Sequence, residues 1–219
     1  MLDTFYDEEY FEGKSRQSAP HSRGLIYPLA ARTARFLCRE STPVRVLDIG
    51  CAKGYLVEAL RAEGVPQAVG IDVSWYAIAH AEPTMRGHLL VGNLTQGLPV
   101  ATATCDMVTA MDLFEHVADP IPALREIDRV LRKDGKAYLK ICHPRHPNAT
   151  RDPSHINVQP LAYWTDIFRQ VGFSWARVYE TDVAGSSSAA DRAKALVRRF
   201  REWAVIGTPA DYKFVLWRA

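Results

Sequence analysis

Asp48-Ile49-Gly50-Cys51-Ala52-Lys53-Gly54 joins an apolar strand, residues 44–49, to a helix that opens on Tyr55 and Leu56. Gly50, Ala52 and Gly54 keep bulky side chains out of a sharp turn. A ligand can then approach bare peptide groups, and the helix N-terminus behind them favours a carboxylate or phosphate. A second apolar strand ends in Gly70-Ile71-Asp72-Val73-Ser74. An acid at the tip of a neighbouring strand is placed to accept hydrogen bonds from a ribose diol. Turn and acid together read as an adenosine-cofactor site. Dinucleotide spacing, G-x-G-x-x-G, fails because Tyr55 stands at the third glycine, and the phosphate-cradling G-x-x-x-x-G-K-[ST] does not occur.

Imidazoles are the other chemistry-bearing groups, because their ordinary pKa lies near neutrality and suits removal of a proton. His116 follows the fourth expected strand, His143 ends the fifth, and His146 and His155 lie in the loop after it. These are carboxyl ends of strands, where open α/β sheets bind ligands. His116, His155 and His143 are therefore the candidate catalytic residues. Each also has a structural reading: His116 as a turn cap or pocket lining, His143 as a hydrogen-bonded strand end. Asp112, Asp152 and Asn157 form no tight oxygen cluster for magnesium, and His143-x-x-His146 beside Pro144 and Pro147 is weak zinc spacing. No metal is expected.

The elements that must position these groups follow from periodicity. Helices are expected over 27–39, from Tyr55 to the stop at Gly64, and over 75–81, 121–131 and 160–171. Strands are expected over 44–49, 68–72, 88–91, 105–111, 137–143, 173–181 and 212–218. Alternation of strand and helix implies a parallel sheet covered on both faces, and the closing pair of strands departs from that rhythm. Between them, residues 189–204 repeat Ala193, Leu196, Val197 and Phe200 at helical spacing, with Arg192, Lys194, Arg198, Arg199 and Arg201 as a basic, solvated face.

Asp48-x-Gly50-x-Ala52-x-Gly54 resembles motif I of the class I S-adenosylmethionine-dependent methyltransferases. Asn93-Leu94 before Leu98-Pro99 is similar to that family's segment after the third strand. Cys105–Met111 with Glu115-His116-Val117 is similar to its fourth motif, and Arg129-Val130-Leu131 with Gly135 to its following helix and turn. The likeness spans about residues 45–172. Asp134 stands for the usual Pro and Lys136 for the second Gly, both away from the cofactor end. The resemblance implies an α/β, Rossmann-like seven-stranded sheet, mostly parallel, with helices on both faces and an antiparallel last strand. It implies S-adenosylmethionine as cofactor, with S-adenosylhomocysteine as product. Cofactor-binding positions carried over are Asp48, Gly50, Cys51, Ala52, Gly54, Tyr55, Leu56, Asp72, Val73, Asn93, Leu94, Met111, Asp112 and Leu113. Asn93 would meet the adenine amino group and Leu94 its face. Tyr10 joins them from an N-terminal lid over residues 1–25, in which Tyr6 and Phe11 also close on the site. Arg23, with Tyr27, is the candidate for the cofactor's carboxylate.

At 219 residues, with 47% hydrophobic and 24% charged residues, the chain suits one domain over 1–219, with 184–210 a helical insertion before the last strand. A net charge of +2 argues for neither nucleic acid nor membrane as partner, and no apolar run approaches the roughly 20 residues of a membrane span. Cys38, Cys51, Cys105 and Cys142 form no CxxC pair, which with the lack of a signal peptide points to a reducing cytoplasm. The [DN]PP[YF] motif of methyltransferases that act on amino groups of DNA or protein glutamine is replaced by Asp112-Leu113-Phe114-Glu115, the Pro-Cys dipeptide of DNA cytosine methylation does not occur, and only Glu115 stands where arginine methylation needs two glutamates. A small-molecule acceptor, a sugar or secondary-metabolism scaffold, is therefore expected, on a monomer or homodimer. A peptide or protein N-methyltransferase and a catalytically silent cofactor-binding partner are the alternatives.

Overall fold

The structure, a computed structural model, describes residues 5–14, 20–178 and 211–219. The expected basic helix over 189–204 and the insertion over 184–210 lie outside the described residues. Seven strands form one sheet: β1 Arg45–Ile49, β2 Gln67–Asp72, β3 Leu89–Val91, β4 Cys105–Met111, β5 Leu131–Ile141, β6 Phe173–Arg177 and β7 Tyr212–Arg218. Their order is β3-β2-β1-β4-β5-β7-β6. β7 runs antiparallel to both neighbours, while the pairings among β1 to β5 are parallel. This is the Rossmann-like arrangement implied by the sequence resemblance.

Strand alternation feeds two cores. On one face, Val46, Met107 and Tyr138 pack beneath Ala34 and Leu37 of α2 (Arg23–Glu40) and Val57 and Leu60 of α3 (Tyr55–Ala62). On the other, Leu47, Val108 and Leu139 meet Leu124 and Ile127 of α5 (Pro120–Val130) and Trp164 and Phe168 of α6 (Leu161–Val171). α5 starts where Asp119 accepts from the Ile121 N–H at 3.1 Å with Pro120 at the first helical position. Short helices α1 (Glu8–Phe11) and α4 (Trp75–Ala79) cap the carboxyl end of the sheet.

Several boundaries differ from the sequence expectation, two of them by four residues or more at the start of an element. α2 begins four residues earlier, at Arg23, despite Pro28 within it. β5 begins at Leu131 and not at Ala137, because its ladder with β4 carries an irregularity between Leu131 and Lys136 that a periodicity reading takes for a turn. The strand order reverses at β1, between β2 and β4, and such a switch point opens a crevice at the carboxyl ends. All four cysteines are free, Cys51, Cys105 and Cys142 buried.

Candidate active site

The turn after β1 holds three alternate residues in the left-handed region: Gly50 at φ +73°, Ala52 at +48° and Gly54 at +78°. Only Ala52 carries a side chain there, at a cost of about 1 kcal/mol. A Cβ on Gly54 would stand 2.7 Å from Leu89 Cδ1, so that glycine serves packing as well as the turn. The turn is stitched to β2. Gly50 and Cys51 N–H donate to the Ile71 carbonyl, and Ala52 N–H donates to Asp72 Oδ2 at 2.7 Å. Asp72 Oδ1 takes the Ser74 N–H at 2.8 Å. Asp48, opposite Thr109 in the ladder, accepts its hydroxyl at 2.6 Å.

Burial pushes the Asp48 carboxyl up to about 7, with the Asp72 charge adding to it, and burial also raises Asp72 against its backbone donors. Among the described residues no lysine or arginine pairs with either acid. Two buried acids without a protein cation are a place of negative potential, and S-adenosylmethionine brings a sulfonium and an ammonium. The donor set therefore fits that cofactor. Cys51, Tyr55 and Leu56 lie buried beneath the turn, where burial raises the Cys51 thiol.

The other carried-over positions frame the same crevice. Val73 is half-buried beyond Asp72. Leu113 lies over Gly50, its Cδ1 3.1 Å from where a Cβ would be. Met111 ends β4, and Asp112, at φ +52°, is held by Lys140 Nζ at 2.7 and 2.5 Å. Burial works against the Lys140 ammonium, but Asp112 and Asp211 outweigh it and hold its pKa up. Leu94 is a core residue. Asn93 Oδ1 accepts both the N–H and the hydroxyl of Thr95, at 2.9 and 2.8 Å, so its acceptor capacity is occupied by its own turn.

The other end of the crevice is assembled from three distant segments. Tyr6 accepts the Ser74 hydroxyl at its carbonyl (2.6 Å) and sets its ring edge-on to His116 at 5.9 Å. Tyr10 donates its hydroxyl to Asp152 Oδ2 at 3.4 Å. Glu12 takes Lys53 Nζ at 2.6 Å and the Tyr76 hydroxyl at 3.2 Å, which clasps α1 to the cofactor turn. Burial raises both phenols, Tyr6 to about 12. His116 Nδ1 lies 3.1 Å from the Ser154 carbonyl, so Nδ1–H donates and Nε2 keeps its lone pair. Burial, with the neighbouring His155, takes His116 down to about 4 and leaves it neutral at ordinary pH. The two imidazole centroids are 4.7 Å apart, and His155 Nε2 lies 3.9 Å from Asp152 Oδ2. Ser154 closes the loop by donating N–H and hydroxyl to Asp152 Oδ1, at 2.9 and 2.5 Å.

Two residues that the sequence suggested are not brought into this group. His143 accepts the Arg145 N–H at 3.0 Å and packs on Tyr212 at 4.6 Å, which is the strand-end role. Arg23 is committed elsewhere. Its guanidinium makes a bidentate pair with Glu58 at 2.6 and 2.8 Å and approaches Glu82 at 3.6 Å, with its side chain 43% exposed. Reasoning from sequence missed Lys53, Ser154 and Glu115 as site residues. Glu115 is 1% exposed, accepts the Cys142 N–H at 3.2 Å, and had one available signal in its place beside His116. A cavity of about 420 Å³ lined by Phe36, Tyr138 and Val215 contains no residue of this site.

Comparison with known proteins follows this geometry. Residues 21–178 match the methyltransferase-domain family. The chain is 25% identical over 177 residues to the "Uncharacterized methyltransferase YcgJ" of Bacillus subtilis, covering 70% of this chain and 69% of that protein. It is 30% identical over 105 residues to the ubiquinone biosynthesis O-methyltransferase of Neisseria meningitidis, 43% of this chain and 42% of that protein, so the match spans less than half of that relative. A chain of the "Complex between the Haloferax volcanii Trm112 methyltransferase activator and the putative methyltransferase" superposes with a TM-score of 0.68 at 20% identity, over 97% of this chain and 99% of that one. At that identity the likeness is one of fold.

Proposed function

The chain belongs to the methyltransferase-domain family and is an S-adenosylmethionine-dependent methyltransferase, and from that premise we propose that it methylates a hydroxyl or amine of a small metabolite. One observation carries this reading. The ends of β4 and β5 are covered by the segment of Tyr6, Tyr10 and Phe11, whose rings contact His116, each other and His21. Phenols and imidazoles line this end, which suits a small acceptor better than a folded polypeptide or a nucleic acid. No helix among the described residues is long and apolar enough to cross a membrane.

The cofactor supplies an activated methyl group when bound. Asp48, Asp72 and the turn from Gly50 to Gly54 hold it, with Leu113 and Met111 as walls. Lys53 and Glu12 keep the N-terminal segment closed, which excludes water. His116 and His155, neutral and adjacent, face the acceptor, while Asp152 and Ser154 orient them. Catalysis here is chiefly alignment of acceptor with the methyl group.

Methyl transfer from labelled S-adenosylmethionine into a fractionated extract of the source cell tests the acceptor. Label in the small-molecule fraction is expected. Label confined to protein, peptide or RNA overturns the acceptor class, and no transfer with intact cofactor binding favours the catalytically silent alternative.

A further inference from the structure

Three side chains at the acceptor end are arranged as ligands for an ion. Glu115, His116 and His155 each bring one donor atom within 4.8 Å of the others. Two buried atoms there have no hydrogen-bond partner: Glu115 Oε2, in a residue 1% exposed, and His155 Nδ1, in a side chain 8% exposed. A buried polar atom left unpaired costs about 1–3 kcal/mol, so two in one place call for an occupant.

Two of the three side chains are already anchored as a metal site needs, and the third, His155, has a carboxylate close by. Metal-binding imidazoles give their second nitrogen to a carbonyl or carboxylate, which fixes the tautomer and ring orientation. His116 Nδ1 faces the Ser154 carbonyl at 3.1 Å, leaving Nε2. His155 Nε2 lies 3.9 Å from Asp152 Oδ2, beyond hydrogen-bond reach, and its Nδ1 is the orphaned atom. Glu115 Oε1 takes the Cys142 N–H, leaving Oε2. Donors about 2.0–2.2 Å from a tetrahedral zinc sit roughly 3.4 Å apart, so small side-chain rotations close the site.

We propose that Glu115, His116 and His155 bind one divalent transition-metal ion, with Asp152 and Ser154 as its second layer. Two imidazoles and one carboxylate select zinc, iron or cobalt over magnesium or calcium, and leave a coordination position open. The absence of metal expected from sequence is thereby reversed, because the three ligands come from two segments that adjacency alone does not connect. Resting on the proposed small-molecule acceptor, the open position would take a hydroxyl oxygen. The ion acidifies that hydroxyl and its proton leaves to solvent. The oxygen then bonds to the methyl carbon as the carbon–sulfur bond breaks, its electron pair staying on S-adenosylhomocysteine.

Chelator-stripped full-length protein titrated with cobalt(II), then zinc(II), tests the site without reference to activity. Expected is one equivalent of visible cobalt absorption, displaced by zinc, without the intense near-ultraviolet band of a thiolate ligand. His155→Ala and Glu115→Gln should each weaken cobalt binding at least tenfold. Should either fail to fold, Asp152→Asn should still weaken it about tenfold. The neighbouring Cys142, His146 and Asp211 cluster is the internal competitor, and His146→Ala should leave the affinity within twofold. No stoichiometric cobalt binding, binding unmoved by the first three substitutions, or a thiolate band lost in His146→Ala overturns the site. Binding as expected with label found only in protein or RNA leaves the metal site standing and removes the small-molecule reading.

Discussion

Asp48→Asn should make the unliganded protein more stable at alkaline pH while damaging the cofactor site. The Asp48 carboxyl lies in the core with the Thr109 hydroxyl as its close donor, and burial lifts it from the ordinary aspartate value near 3.9 to about 7. The folded protein therefore holds this proton more tightly than the unfolded chain does. Its contribution to stability is fully present below about pH 4 and is lost as pH rises towards about 7. The full loss corresponds to about 4 kcal/mol. An amide keeps an oxygen for Thr109 but needs a place for its N–H₂ group, so about half of that, ~2 kcal/mol, is the expected gain at pH 8. For a chain of this size that raises Tm by roughly 4–8 °C. At pH 4.5 the two proteins should melt nearly together. Thermal melts at both pH values are the assay. An equal Tm difference at the two pH values, or a variant less stable at pH 8, refutes the burial argument. Isothermal titration with S-adenosylmethionine completes it: the wild type should bind more tightly as pH rises through about 7, and the variant should bind at least tenfold more weakly at pH 8.

Asp72→Ala removes the anchors of Ala52 N–H and Ser74 N–H as well as the ribose partner, so cofactor affinity should fall by more than tenfold in equilibrium titration. Arg23→Ala should leave cofactor affinity within twofold and cost under about 1 kcal/mol in denaturant melts, since its half-exposed pair with Glu58 is a surface one. Lys53→Met unclasps α1 from the cofactor turn and should raise the acceptor KM severalfold in steady-state kinetics, with kcat changed less. Gly54→Ala forces a Cβ to 2.7 Å from Leu89 at positive φ and should lower the denaturant midpoint by about 1–3 kcal/mol of stability.

The turn and acids of the candidate cofactor site were legible because their determinants are local. Small residues at positions 50, 52 and 54 and an acid at the end of each of two apolar strands are patterns within a few residues, and the ladder then sets Asp48 beside Thr109. Ends of elements were less legible: Leu131 opens β5 through an irregular ladder that periodicity does not register. The acceptor half depends on pairs far apart in sequence. Tyr10 meets Asp152 across 142 positions and Ser74 meets Tyr6 across 68, and no short-range rule selects those partners. Arg23 was not legible for the same reason, because a glutamate 35 residues away takes its guanidinium. His116 and His155 were singled out by residue type and strand-end position, yet the orphaned Glu115 oxygen between β4 and the loop emerges only when burial is known.

Ser74 ties the two halves together. It is fully buried, its N–H is held by the Asp72 carboxylate, and its hydroxyl both accepts from Ala77 N–H and donates to the Tyr6 carbonyl. Tyr6 in turn sets its ring against His116 and its phenol near Ser154. A ribose on Asp72 would therefore tighten the residue that positions the lid, and the lid lines the acceptor end. Binding should then be ordered, with cofactor first, because the acceptor pocket lacks a wall until the Tyr6 segment is seated. A random order, with acceptor affinity independent of cofactor, would mean that the Ser74–Tyr6 bond is incidental. Ser74→Ala separates the cases: it leaves the Asp72–N–H bond in place and removes the link together with the Ala77 N–H cap of α4, so coupling between the two ligands should fall while cofactor affinity alone changes little.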